Sequence, residues 1–267
     1  MKKFETEFDK FLNMLKNEEN FAFSRFSDGE IFILQNKILV LGSTFFITGE
    51  QAGHNIYTEE ERKEFLPERD QLMRLELEKS WKHKQHNYFK GIPSSKDIHV
   101  TLEGIELNKS DMDQYTFANV FINGNYAKYV KEIVNGVFPA RNIIYVAHKN
   151  ADVSKLPFKV SKHYKIGNDC FRNDVHIVNT MLNDFNKETP VSGTIVLCSA
   201  ASLSNIIIHR LYEKFPQFTY LDIGSTLNPF LGQNMSGWQH TRDYLRTYWK
   251  NEKTYYGEQI DEWFEET

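Results

Sequence analysis

Apolar residues enter the chain at helical spacing. Phe4, Phe8, Phe11, Leu12 and Leu15 recur every three or four positions, which predicts an amphipathic opening helix within residues 1–18. The polar face of that helix mixes acids and bases, so packing on a core suits it better than lying on a membrane. A compact apolar stretch from Phe21 to Phe26 reads as a short buried strand. A helix from Glu30 to Gln35 and an apolar strand from Ile38 to Leu41 follow. Thr44 to Tyr57, with Gly49 and Gly53, reads as a loop. Glu59 to Lys82 reads as one long charged helix, with Pro67 as a break or first-turn residue. Gly91 to Ser95 marks a turn, and Glu103 to Gln114 is polar enough for an exposed loop.

The second half alternates more clearly. An apolar segment from Tyr115 to Ile122 precedes a helix from Ala127 to Val134. Asn142 to Ala147, Phe158 to Tyr164, Thr194 to Cys198 and Thr219 to Ile223 read as strands. Helices from Asp174 to Asn186 and from Ser204 to Phe215 lie among them, the first with an apolar face at Val175, Val178, Met181, Leu182 and Phe185. Strands alternating with helices of 10 to 15 residues predict an α/β fold with a mostly parallel sheet and helices on both faces. No internal repeat, low-complexity stretch or linker divides the sequence, so residues 1–267 are expected to form a single domain, with a nucleotide-binding half at about 140–232.

Composition narrows the class only a little. Hydrophobic residues make up 40% and charged residues 25% of 267 positions, as in an ordinary globular protein. The aromatic share, 14% with 21 Phe and 13 Tyr, is enough for a large core. A net charge of −4 lacks the basic footprint of a nucleic-acid binder. Cys170 and Cys198 form no Cys-x-x-Cys pair, so neither a disulfide framework nor a zinc site is expected, and a reducing cytoplasm fits. No run approaches the roughly 18 apolar residues of a membrane span, and Glu5, Glu7 and Asp9 interrupt any signal peptide.

Two segments carry candidate chemistry. In Arg25-Phe26-Ser27-Asp28-Gly29-Glu30, two acids flank a glycine just after a strand. If the backbone stays extended there, Asp28 and Glu30 point the same way. They would form a half-site for Mg²⁺ or Mn²⁺, completed by water and substrate phosphates, with Arg25 facing the remaining phosphate charge. The plainer alternative is that Asp28 caps the following helix. In the second segment, the strand Thr194–Cys198 runs through Ser199-Ala200-Ala201-Ser202 into a helix. Small residues at a helix N-terminus beyond a strand's carboxyl end suit a phosphate. Asp222, before Ile223-Gly224-Ser225, stands where dinucleotide folds place a ribose-binding acid, although the glycine fingerprint is missing. Here the alternative is that Ser202 or Ser204 caps the helix and Asp222 forms a turn. The nine histidines make no strong metal spacing, and P-loop, nucleophile-elbow and kinase signatures are absent.

Taken together, the two segments resemble the GT-D-fold glycosyltransferases. Members of that family open with an R-F-G-D-G-E-like segment, matched by Arg25 to Glu30 with Ser27 in place of the glycine. They end on a strand with D-[IV]-G, matched by Asp222-Ile223-Gly224. The resemblance spans about residues 20–232. It implies a Rossmann-like sheet, a nucleotide-sugar donor such as UDP-glucose or a related UDP-sugar, and a glycan or glycoprotein acceptor. It further implies Mn²⁺ or Mg²⁺ on Asp28 and Glu30, and a donor pocket drawn from Arg25, Ser199, Ser202, Asp222, Gly224 and Ser225. Asp222 is the candidate catalytic base or donor ligand. Where family members often carry a His and an acid after D-[IV]-G, this chain has Ser225, Thr226, Leu227 and Asn228. A methyltransferase using a sulfonium cofactor and a non-catalytic carbohydrate-binding protein are the rival readings.

Overall fold

The structure is a computed structural model that describes residues 2–41, 45–47, 50–53, 63–93, 102–107 and 109–231. Its centre is a seven-stranded, wholly parallel sheet. In chain order its strands are β1 (Ala22–Arg25), β6 (Tyr88–Ile92), β7 (Tyr115–Phe117), β8 (Ile143–His148), β9 (Val160–Ile166), β10 (Ile195–Cys198) and β11 (Thr219–Asp222). Across the sheet the order is β7-β6-β1-β11-β10-β8-β9. The expected α/β architecture with a parallel sheet is therefore present. β6 is a fully buried strand that the hydrophobic pattern does not announce, because Lys90 and Gly91 interrupt it.

Side-chain alternation along β1 assigns the helices to two faces. Phe21 and Phe23 meet Phe11 of α1 (Phe4–Lys16). Ser24 points the opposite way and accepts a hydrogen bond from Asn205 Nδ2 (2.9 Å) on α7 (Ser202–Lys214). The α1 face is completed by α4 (Tyr126–Lys128), which runs on into a π-wound stretch, Tyr129–Val137. Tyr129 packs there against Phe121, which also touches Phe8, Phe11 and Phe23. On the other face, α3 (Gln71–Lys82) and α6 (His176–Lys187) flank α7.

The region before α3 departs from expectation. A second, antiparallel sheet is built from β2 (Leu39–Leu41), β3 (Phe45–Ile47), β4 (Glu50–Gly53) and β5 (Lys63–Phe65), in the order β4-β3-β2-β5. The strand expected at Ile38–Leu41 thus exists but belongs to this smaller sheet, and part of the expected Thr44–Tyr57 loop is strand. The long helix expected over Glu59–Lys82 is a strand, a turn through Pro67 and a shorter helix, with 59–62 outside the described residues. Pro67 has no N–H, and it disfavours helical geometry for Leu66. Asp70 then closes the turn by accepting from the Leu66 N–H (2.9 Å). Residues 232–267 also lie outside the described region.

Candidate active site

The loops that follow β1, β8, β9, β10 and β11 all open at the carboxyl end of the sheet, around a cavity of about 270 Å³. Arg25, Asp28, Glu30, Ser199, Asp222, Gly224 and Ser225 line it, so both sequence segments meet there. Ser202 does not. Its side chain is fully buried behind the wall, and its hydroxyl donates to Glu30 Oε1. The expected direct donor contact from Ser202 is replaced by a bond that ties the two segments together.

The acid-glycine-acid segment is helical. α2 spans Asp28–Leu34 with Ser27 at its N-cap, and the Ser27 N–H donates to Glu30 Oε2 (3.1 Å), half of a capping box. Two residues apart on a helix, side chains point about 200° apart. The expected convergence of Asp28 and Glu30 on one cation therefore fails in this geometry. Asp28 is exposed at the cavity wall and accepts from the Gly29 N–H (2.8 Å). Glu30 is buried and fully engaged, with the Lys63 ammonium 2.8 Å from Oε1. Burial alone would raise the Glu30 pKa. The charge and hydrogen bond of Lys63, with help from Ser202 and Arg25, override that and hold it below the usual carboxylate range. Of the two expected ligands, Asp28 is exposed to the cavity, whereas an ammonium already occupies the carboxylate of Glu30.

Glycines in both segments make room for the cations. A Cβ on Gly29 would lie 2.8 Å from Lys63 Nζ. Gly224 has φ +52°, and a Cβ there would collide with Arg25 Nη1. Arg25 is further fixed by Nε donating to Ala118 O (2.7 Å) and Nη2 to Ser27 Oγ (3.2 Å), and Nη1 stands 4.0 Å from Asp222 Oδ1. Asp222 is buried and accepts from the Gly224 N–H (3.1 Å). Desolvation pushes its pKa to about 7, with the nearby Glu30 charge adding to the rise and Arg25 opposing it. Ser199 sits on the wall with its hydroxyl against Tyr145 Oη (2.9 Å).

Lys63, His148, Asp169 and Cys170 also line the cavity and were not among the sequence candidates. His148 Nδ1 accepts from the Asn150 N–H (3.3 Å), so Nε2 carries the proton it shares with Asn168 Oδ1 (2.9 Å). Asp169 is left-handed at φ 52°, ψ 42°, and heads α5 (Cys170–Asn173). Its carboxylate accepts from the Glu64 N–H (3.2 Å) and from Arg172 (2.8 Å), which fastens β5 and hence Lys63 to the large sheet. His148 and Asp169 stand at or just past strand ends, a position that could have flagged them. Lys63 sits in an unbroken charged run, Glu59 to Glu64, where nothing sets it apart. Ala201, between β10 and α7, has φ 44° and ψ −139°, a region that side-chain-bearing residues rarely occupy.

No family model matches this chain, and no curated protein matches it. Among solved structures, it is similar to a selenomethionine-substituted domain of unknown function 1792, with a TM-score of 0.47 and 13% identity over 82% of this chain and 77% of that one. Among the described residues, no helix is long and apolar enough to cross a membrane.

Proposed function

We propose that the protein is a glycosyltransferase that moves a sugar from a nucleotide diphosphate donor, with a UDP-sugar such as UDP-glucose the favoured class, to a glycan or glycoprotein hydroxyl. The observation that carries this reading is the joining of the two segments: Ser202 hydrogen-bonds Glu30, and Arg25 lies between Ser27 and Asp222. Segments that resemble a glycosyltransferase only in combination thus form one wall of one cavity.

The residues suggest a division of labour. The acceptor oxygen attacks the sugar's anomeric carbon, the bond from that carbon to the diphosphate oxygen breaks, and the electron pair leaves with the diphosphate. Arg25 and Lys63 supply fixed positive charge beside the cavity for that leaving group. Asp222, with a pKa near 7, is suited to take the acceptor's proton. Ser199, Gly224 and Ser225 remain candidates for the donor's wall. Mn²⁺ or Mg²⁺ enters the proposal with Asp28 as its protein ligand, and such an ion would add Lewis-acid stabilisation of the diphosphate. A sulfonium-dependent methyltransferase is the rival reading, since the carboxylates of Asp28, Glu30, Asp169 and Asp222 line the same cavity as Arg25 and Lys63.

Thermal shift with UDP, UDP-sugars and S-adenosylmethionine, with and without Mn²⁺, tests the reading. A UDP-sugar should raise the melting temperature, and release of UDP should follow when acceptor glycans are added. Stabilisation by S-adenosylmethionine alone, or UDP-sugar binding with no turnover across the acceptors, would overturn it in favour of one rival or the other.

A further inference from the structure

A cluster of side chains with metal-ligating atoms lies away from the cavity, where α3 meets α7. His209 and Glu213 are one turn apart on α7, and His83 follows the last residue of α3. One ligand atom from each lies within 4.8 Å of the others. We propose that His83, His209 and Glu213 bind a transition-metal dication of the zinc class and that this ion cross-links the two helices.

Three observations carry the assignment. His209 Nε2 stands 3.5 Å from Glu213 Oε1, close to the donor spacing of roughly 3.4 Å implied by tetrahedral zinc with bonds of about 2.0–2.1 Å. His83 Nε2 is buried and has no hydrogen-bond partner. Buried imidazole nitrogens in that condition are uncommon, and coordination would satisfy His83 directly. The site also opens to solvent on one side: Glu213 is half-exposed, and the three residues line a shallow groove with Leu72, Leu75 and Arg210. A fourth, water ligand has access there. Lys79, Lys82, Lys84 and Arg210 also line the groove, and acids lie beside two of them: Arg210 is 3.8 Å from Glu76, and Lys82 is 2.7 Å from Glu78. Two imidazoles and one carboxylate favour zinc over magnesium or calcium, which prefer all-oxygen shells.

The test is equilibrium dialysis of the EDTA-stripped full chain against zinc chloride, read by metal analysis and thermal shift, with Co²⁺ as a spectroscopic probe. One equivalent of zinc should bind and raise the melting temperature, and Co²⁺ should show the visible bands of a tetrahedral site. Glu213→Gln, at a half-exposed position, and His83→Gln should each weaken zinc binding at least tenfold while circular dichroism stays native. Asp28→Asn should leave zinc uptake unchanged. No stoichiometric binding, or binding that survives both the Glu213 and His83 changes, would overturn the proposal. So would uptake lost in Asp28→Asn, which would place the ion in the sugar-nucleotide cavity.

Discussion

Two buried carboxylates in the cavity respond to pH in opposite directions. Glu30 is held below its ordinary pKa by Lys63, so its stabilising contribution is present above the unfolded carboxylate pKa and is lost as pH falls through the lower folded value. Asp222 is raised to about 7. The unfolded chain therefore binds fewer protons there, and stability falls as pH climbs from about 4 to about 7. Asp222→Asn should flatten that limb, leaving the protein on the order of 4 kcal/mol more stable at pH 8 at most, and on the proposed function it should abolish sugar transfer. Urea midpoints at pH 5 and pH 8 check this, and an unchanged pH slope would refute the raised pKa. Glu30→Gln strands the Lys63 ammonium in a buried site. It should cost about 3–5 kcal/mol, and a midpoint within error of wild type would show that Lys63 finds solvent instead. The acids themselves were legible in the sequence. Their environments were not: Glu30 is held down by Lys63 from β5, and Asp222 is raised by its burial at the end of β11.

At the scale of elements, the strand–turn–helix units of the second half were readable because β-branched and aliphatic runs alternate with helical periods. β10 and α7 fall within two residues of expectation. The first half was harder to read. A charged run such as Glu59 to Glu64 has no alternation, so β5 is defined by its pairing with β2, as in Leu39 opposite Phe65, and not by propensity. α2 starts two residues early because the Ser27 N–H bonded to Glu30 marks a helix start that hydrophobic spacing does not. The turn into α7 stores strain at Ala201, where φ 44° and ψ −139° suit glycine. Ala201→Gly should therefore stabilise the protein by about 1 kcal/mol. Chemical denaturation reads the sign, and a loss of stability would mean that added freedom in the unfolded chain outweighs the relieved strain.

For the whole molecule, the working cavity depends on the small sheet being pinned to the large one. Arg172 bridges Asp169 (2.8 Å) and Glu64 (3.4 Å), and Arg69 joins Glu64 to Asp70. These pairs are partly exposed, so Arg172→Met should cost only about 1 kcal/mol of global stability. With β5 loosened, Lys63 should be placed less well, and UDP affinity by calorimetry should fall about tenfold, a change of about 1.4 kcal/mol. An unchanged UDP affinity in a folded Arg172→Met protein would speak against a positioning role. The strand order has a consequence for synthesis. β1 is an interior strand, flanked by β6 and by β11, so one of its edges must wait from residue 25 until residue 219 has emerged. At about 5–20 residues per second that wait lasts on the order of 10–40 s. During it, the apolar rim around Phe21 and Phe23 is an open pairing edge on the nascent chain, vulnerable to chance neighbours. Among the described strands β11 is the last to leave the ribosome, and its arrival both closes that edge and brings Asp222 to the cavity.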